Sequence, residues 1–495
     1  MEDEQFIKDQ EKIIENRELN IWEALIPVFA LVGMLAYNVF VFGDASLDGS
    51  NQFILLLGGA VAAIVGLFNK TKFDSMIEEV ATNIKSTTGA LLILLMVGSL
   101  AGTWLISGII PTMIYYGLQI LNPTIFLVAT LIICSVISVA TGSSWTTSAT
   151  VGIALIGIAE ALGISVGMTA GAIISGAYFG DKLSPLSDTT NLAPAMAGTD
   201  LFTHIRYMTY TTVPSMVISA IFFIILGFTI EPSGNADTST ILTAIEASFN
   251  ISPWLFLVPV LVIFLIVKKT SPLIALLIGT LLGAVAALFF QPEVVTAVSG
   301  AESLTFESAY KGIMNAITID TTINTENEQL NDLFSSGGMS GMLGTIWLII
   351  CAMVFGGIMD AIGALSTISR ALLNLFHTTF GLFASTVISC LTLNATASDQ
   401  YLAIVVPGKM FAKAYKDKGL APENLSRTLE DSGTVTSALI PWNTCGAYHS
   451  GVLGVPVASY FIYAIFNYIS PFMTLLFAAL NIKIRELASP APVQA

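Results

Sequence analysis

P-L-I-A-L-L-I-G-T-L-L-G-A-V-A-A-L-F-F, residues 272–290, runs for nineteen residues without a charged side chain. A helix rises about 1.5 Å per residue, so this run spans about 30 Å, the thickness of the hydrocarbon core of a bilayer. Stretches of the same kind lie at 24–42, 53–68, 89–107, 206–230, 254–267, 341–364 and 457–482. Two further regions, 122–198 and 378–454, are apolar but interrupted by Gly, Ser, Thr, Pro and Asn. The pattern predicts an all-α polytopic membrane protein.

Composition agrees. The 495 residues are 54% hydrophobic and 11% charged, against about 25% charged in a soluble domain. Mean hydropathy is +0.80. The formal net charge is −15. Seven of the 34 acidic residues fall in the first 18 positions and others lie in polar loops, so the acidity is mostly peripheral. An acidic chain without a basic patch argues against nucleic-acid binding. Cys134, Cys351, Cys390 and Cys445 are scattered through apolar stretches, with no C-x-x-C and only three histidines. They read as small core residues rather than a metal cluster or disulfide framework. The charged N-terminus has no h-region or cleavage site, so the first apolar run is expected to be retained as a span.

Lys and Arg concentrate on one side of the alternating spans: Lys8, Lys12 and Arg17; Lys70, Lys72 and Lys85; Lys268 and Lys269; Lys409, Lys413, Lys416, Lys418 and Arg427; Lys483 and Arg485. The loops 43–52, 108–122 and 231–253 are nearly free of them. The positive-inside rule then places both termini in the cytoplasm. This threading divides the chain into a cytoplasmic segment 1–21, a first repeat 22–230, an external linker 231–250, a second repeat 251–483 with an external loop 291–340, and a cytoplasmic tail 484–495. Each repeat runs as two spans, a polar linker, a span, an interrupted region and a final span. The first copy starts from the cytoplasm and the second from outside, the order of an inverted-topology repeat. The regions 122–162 and 378–410 read either as re-entrant hairpins or as full spans; charge parity favours hairpins with tips near 141–147 and 394–399.

The interruptions are where chemistry is expected. They are T-G-S-S-W-T-T-S-A-T (141–150), F-G-D-K-L-S-P-L-S-D-T-T-N-L-A-P-A-M-A-G (179–198), L-N-A-T-A-S-D-Q (393–400) and E-D-S-G-T-V-T-S-A-L-I-P-W-N-T-C-G (430–446). Irregular backbone at membrane depth is tolerated only where it is buried in protein or lines a cavity. Pro185, Pro194 and Pro441 break helices. Freed carbonyls, hydroxyls and amides supply oxygen, which a hard cation such as Na⁺ prefers. A charge at the bilayer centre costs about 2.5 to 3.5 kcal/mol on insertion scales, so Asp181, Asp188, Asp399 and Asp431 are functional candidates by default. A carboxylate there binds Na⁺ when ionised and a proton when neutral. A site for which both compete yields exchange.

Each candidate also has a duller reading. Asp181 precedes Lys182 and would simply neutralise it. Asp188 would cap a half-helix, since S-D-T-T-N reads as a helix start. Asp399, between Ser398 and Gln400 deep in an apolar run, reads as functional. Asp431, beside Glu430 and Arg427, would lie near the cytoplasmic surface. Asp360 and Glu160 read as interfacial, His449 as a satisfied buried histidine, and Trp145 and Trp442 as packing residues. The metal expected at Asp188 and Asp399 is Na⁺, with Thr141, Ser143, Ser144, Asn394, Thr396, Ser398 and Asn443 as neutral oxygen donors or neighbours.

The stretch G-D-K-L-S-P-L-S-D-T-T-N-L-A-P-A-M-A-G, the following T-D-L-F-T-H-I-R-Y-M (199–208) and E-D-S-G-T-V-T-S-A-L-I-P-W-N-T-C-G-A-Y resemble the NhaC-type Na⁺/H⁺ antiporter family. The likeness covers most of the chain from the third span onward. It implies an ion-transporter fold with inverted repeats, paired re-entrant hairpins and broken helices. It also implies roles for Asp181, Ser184, Ser187, Asp188, Thr189, Thr190 and Asn191 in the first motif. In the second it implies roles for Asp431, Ser432, Thr434, Trp442, Asn443 and Thr444. Similar proteins include malate/lactate exchangers and amino-acid carriers, so the resemblance leaves the substrate open.

The expected function is secondary active transport across a cell membrane: export of Na⁺ for H⁺ by alternating access, with no cofactor and no catalysis. The alternative is Na⁺- or H⁺-coupled exchange of a small organic anion or an amino acid. A channel would need a continuous pore, often from repeated filter segments, and no G-x-S-x-G or H-E-x-x-H marks an intramembrane enzyme. The first two spans of each repeat could form a homodimer face.

Overall fold

In hydrocarbon every backbone N–H and C=O must be paired inside the protein, by a helix or a closed barrel, and runs this long and uniformly apolar, without a strand's alternation, suit the helix. The computed structural model describes residues 19–42, 49–120, 122–229, 238–268, 270–324, 331, 334–375 and 378–487. Among these, eight helices are long and apolar enough to cross a membrane. They are Ile21–Phe42, Ser50–Phe68, Phe73–Ile106, Pro123–Thr141, Leu201–Thr229, Pro272–Phe290, Gly338–Ala361 and Thr379–Thr396. Strand structure among the described residues is one antiparallel pair, Thr321–Thr322 against Ser335–Ser336. The chain is a polytopic all-α integral membrane protein. Large apolar side chains such as Phe29, Phe40, Phe228 and Phe289 stand exposed on the outer faces, where lipid would cover them.

Four expectations change. The polar linker at 69–88 is mostly helix, because Phe73–Ile106 continues without a break through its polar first half. Its exposed residues there include Glu78, Thr82 and Lys85. The span at 254–267 is the second arm of a pair, Ile241–Ser248 and Pro253–Val267, bent by 85°; Pro253 lacks the N–H that would carry the first helix on. The last span is divided into Val457–Phe461 and Ile465–Ala479. The loop 291–340 holds helices Pro292–Ser299 and Phe306–Thr318 as well as the strand pair. The segment 1–18, Lys269 and the tail beyond 487 lie outside the described residues.

The scaffold of the site is a pair of helices in close contact, Pro123–Thr141 and Val166–Leu183. Gly176 and Gly180 on the second are a small-xxx-small pair of the kind that lets membrane helices approach. A Cβ on Gly176 would stand 2.3 Å from the Leu131 carbonyl, and one on Gly180 would stand 2.5 Å from that of Ser135. Ser138 Oγ donates to the Ala177 carbonyl at 2.5 Å across the same contact.

The breaks have matching geometry. Gly142 ends Pro123–Thr141 in the left-handed conformation (φ 70°), and extended Ser143 caps the helix that follows. Ser398, after Thr379–Thr396, is likewise left-handed (φ 60°), and extended Asp399 caps Gln400–Asp417. Ser187 caps the ten-residue helix Asp188–Ala197, closed by left-handed Gly198. Asn443 caps the ten-residue helix Thr444–Leu453, closed by left-handed Gly454. The separation is 256 residues in each pairing: Gly142 with Ser398, Ser143 with Asp399, Ser187 with Asn443, and Gly198 with Gly454.

Candidate ion-binding site

The four helix starts meet at one cavity. Its volume is about 520 Å³, and its lining includes Ser143, Ser144, Ser187, Asp188, Asp399, Gln400 and Thr444. Thr141, Thr146, Asp181 and Thr189 add oxygen, and Ser86 and Thr87 of Phe73–Ile106 face it from the side. The lining carries three carboxyl groups, Asp181, Asp188 and Asp399, and no Lys, Arg or His among the described residues.

Each carboxyl is placed by a break. Asp181 sits in the last turn of Val166–Leu183 and is 7% exposed. Its Oδ2 accepts from Ser144 N at 3.2 Å and from Ser144 Oγ at 2.7 Å, so the first residue of one broken helix holds the end of another. Asp399 is the cap of Gln400–Asp417: its Oδ1 accepts from Tyr401 N at 2.8 Å and Leu402 N at 3.0 Å. Asp188 is the first residue of its helix and is exposed to the cavity, while Ser187 does the capping. Orphan N–H groups and the aligned peptide dipoles at helix starts favour negative charge. They therefore hold these carboxylates where a cation can reach them.

The other candidates brace the breaks rather than line the cavity. Thr190 Oγ1 donates to the Asp181 and Lys182 carbonyls at 3.1 and 3.2 Å. Asn191 Nδ2 donates to the Pro185 and Ser187 carbonyls, and Ser184 Oγ accepts from Leu186 N. In the second half Asn443 Nδ2 donates to the Asn394 carbonyl at 3.0 Å, and Asn394 Nδ2 donates to the Gly433 carbonyl at 2.7 Å. The Ser398 carbonyl accepts from Thr444 N at 2.9 Å, and Trp442 Nε1 donates to the Ala395 carbonyl at 2.7 Å. Thr396 and Ser432 bond within their own helices. Thr434 Oγ1 is buried without a partner.

Asp431 is a different kind of group. It is fully buried, and it pairs with Lys182 while accepting from Ser470 Oγ and Thr474 Oγ1. The expectation of a surface position for it is corrected, as is that of Lys182 neutralising its neighbour Asp181. Sequence reasoning also missed Thr146, Gln400 and Tyr401 on the cavity wall and the buried Glu430; Thr146, Gln400 and Glu430 all lay inside the quoted interruptions, which was the signal that could have found them.

This combination of broken helices around an acid-lined cavity coincides with a family match. Residues 176–482 fit the model of the Na⁺/H⁺ antiporter family. The chain belongs to the Na⁺/H⁺ antiporter family. It is 38% identical to the Na⁺/H⁺ antiporter NhaC of Alkalihalophilus pseudofirmus over 431 residues, 87% of this chain and 90% of that one. It is 37% identical to the malate-2H⁺/Na⁺-lactate antiporter of Bacillus subtilis, covering 93% of each. It is 33% identical to the arginine/ornithine antiporter ArcD of Halobacterium salinarum, covering 92% of this chain and 90% of that one. Within the Na⁺/H⁺ antiporter family, relatives of near-equal likeness are thus named for different solutes.

Proposed function

We propose that the chain is a secondary active transporter that exchanges Na⁺ for H⁺, exporting Na⁺ from the cytoplasm by alternating access. One observation carries the reading: three carboxyls from two of the breaks, 179–198 and 393–400, share a cavity with many neutral oxygens and no basic side chain among the described residues. Oxygen donors of this kind suit a hard monovalent cation. The same carboxyls accept protons, so the two ions compete and each is released when the other binds. The role is transport rather than catalysis.

The repeated caps at a fixed separation of 256 residues favour the division into two inverted repeats, 22–230 and 251–483, with paired hairpins meeting tip to tip. Alternating access would move one bundle against another around the cavity. The charge pattern favours cytoplasmic termini, and the first spans of each repeat offer a homodimer face.

The test is a reconstituted liposome with an internal pH dye, a Na⁺ gradient and no organic solute. Proton movement driven by Na⁺, lost in Asp188→Asn and Asp399→Asn, supports exchange at this cavity. A second reading follows from size. The cavity, at about 520 Å³, exceeds what one cation needs, since a water occupies about 30 Å³. Backbone N–H groups at the helix starts could receive a carboxylate beside a bound cation. Proton movement that appears only once malate, lactate or arginine is added would replace simple ion exchange with coupled organic-solute exchange.

A further inference from the structure

The cavity has a kind of surface that neither Na⁺ nor a proton uses. Beside its oxygen donors it is lined by Ala90, Ile93, Leu186 and Ile266, and by Trp145 and Tyr401. A hard cation is held by oxygen and gains nothing from apolar or aromatic walls. A solute with a carbon skeleton does.

The two aromatic residues stand 256 positions apart, the separation that relates the paired caps. Each accompanies a carboxyl at a helix start. Ser144 holds Asp181 through its N–H and its hydroxyl, and Trp145 is the next residue. Tyr401 N donates to Asp399 Oδ1 at 2.8 Å. Each half of the chain thus brings a carboxyl and an aromatic side chain to the cavity together. Trp145 is fixed in place: its ring stacks on that of Tyr448, with centres 4.0 Å apart and planes at 16°, and Tyr448 OH donates to the Trp145 carbonyl at 3.1 Å. Packing accounts for the face on Tyr448, but not for the place of the indole on the cavity wall.

The sign of the charge selects among organic solutes. The lining holds Asp181, Asp188 and Asp399 and no Lys, Arg or His among the described residues. A carboxylate or phosphate solute would meet like charge with no basic side chain to answer it. A guanidinium or alkylammonium is matched. Carboxylates accept its N–H groups in charge-assisted hydrogen bonds, and aromatic rings attract a cation while covering its carbon skeleton. Thr141 adds an acceptor: its hydroxyl is on the cavity wall, 7% exposed, and has no hydrogen-bond partner among the described residues. A buried polar group left unpaired carries a free-energy cost that a bound donor would remove.

We propose that the cavity takes a small organic cation bearing N–H groups as a second cargo, in competition with Na⁺ and H⁺. Asp181, Asp188 and Asp399 receive its charged head, and Trp145 and Tyr401 flank its carbon chain. The inference rests on the reading of this cavity as the transport site.

The experiment uses two probes with one skeleton and permanent charges of opposite sign, propylguanidinium and propanesulfonate. In proteoliposomes exchanging labelled for unlabelled Na⁺, propylguanidinium is expected to inhibit competitively and propanesulfonate to have no effect. Labelled propylguanidinium is expected to accumulate in vesicles preloaded with the unlabelled compound. Trp145→Ala and Tyr401→Ala should raise the inhibition constant for propylguanidinium, relative to the KM for Na⁺, by about tenfold. Trp145→Phe and Tyr401→Phe, which keep a ring, should hold that ratio near wild type. Equal inhibition by the two probes, or inhibition without accumulation, overturns the cargo. An unchanged ratio in both alanine variants overturns the aromatic contact; if either does not fold, leucine at the same position makes the comparison, with apolar bulk and no ring. Wild-type protein that exchanges no labelled Na⁺ would remove the Na⁺ reading, and accumulation of labelled propylguanidinium would then still decide this one.

Discussion

Lys182 gives its charge to Asp431, 249 residues away in sequence, and not to Asp181 beside it. Both partners are fully buried. The pairing ties the end of Val166–Leu183 to the π-turn Glu430–Thr434, and it leaves Asp181 with hydrogen bonds from Ser144 but no ion pair among the described residues. A lysine contact would have blocked that carboxyl; without one it remains available to a transported cation.

Breaking this pair from one side should be costly. Lys182→Met or Asp431→Asn leaves the remaining partner buried and uncompensated, which destabilises by about 3 to 5 kcal/mol. The double variant Lys182→Met/Asp431→Leu should recover much of the loss. Thermal unfolding of the detergent-solubilised protein measures both; additive losses in the double variant would contradict a direct pair.

Asp181 should weigh on Na⁺ affinity more than on folding. Hydrogen bonds to charged groups contribute about 1.5 to 3 kcal/mol. Ser144→Ala, which removes the 2.7 Å bond, should therefore raise the KM for Na⁺ by about tenfold. Asp181→Asn should raise it further, with the melting temperature little changed. An unchanged KM in both would remove Asp181 from the cation site.

Competition fixes the sign of the pH response. A proton on a cavity carboxyl excludes Na⁺ from it, so the KM for Na⁺ should rise as pH falls. Below the titration range the rise approaches about tenfold per pH unit for one shared proton, while the maximal rate at saturating Na⁺ stays flat. Rates collected at several pH values across a Na⁺ series would reveal it. A falling maximal rate with constant KM would mean that the two ions bind at separate places.

The two left-handed breaks at Gly142 and Ser398 should answer substitution in opposite ways. A Cβ on Gly142 would meet Leu186 Cβ at 2.5 Å and the Leu186 backbone at 2.8 Å, in a conformation (φ 70°) that side chains disfavour. Gly142→Ala should lower both stability and transport. Ser398 already carries a side chain at φ 60°, at a cost of about 1 to 2 kcal/mol, so Ser398→Gly should melt no lower than wild type. A stabilised Gly142→Ala would undo the argument from backbone geometry.

Much of the architecture was legible in single stretches. Residues 272–290 form the helix that their composition demands, and the polar interruptions at 141–150, 179–198, 393–400 and 430–446 became the helix breaks. The misses have local causes. Phe73–Ile106 runs through polar residues at 73–88 because long helices tolerate an exposed polar half outside the apolar zone. The last apolar run splits at 462–464, where composition carries no mark of a turn. Capping roles were readable in kind but not in place: Ser187, not Asp188, caps its helix.

What the sequence determined by itself is that this chain spans a membrane many times, and that its helices break at the four polar interruptions. Apolar length and the need to satisfy each backbone group inside hydrocarbon leave no other outcome. What only the tertiary structure decided is which breaks share a cavity and which charge answers which. Asp181 and Asp399 lie 218 positions apart yet line one space, while Lys182 turns from its neighbour to Asp431. Consecutive residues on a helix point about 100° apart, so adjacency in sequence sends Asp181 and Lys182 to different partners, and packing between distant helices chooses them.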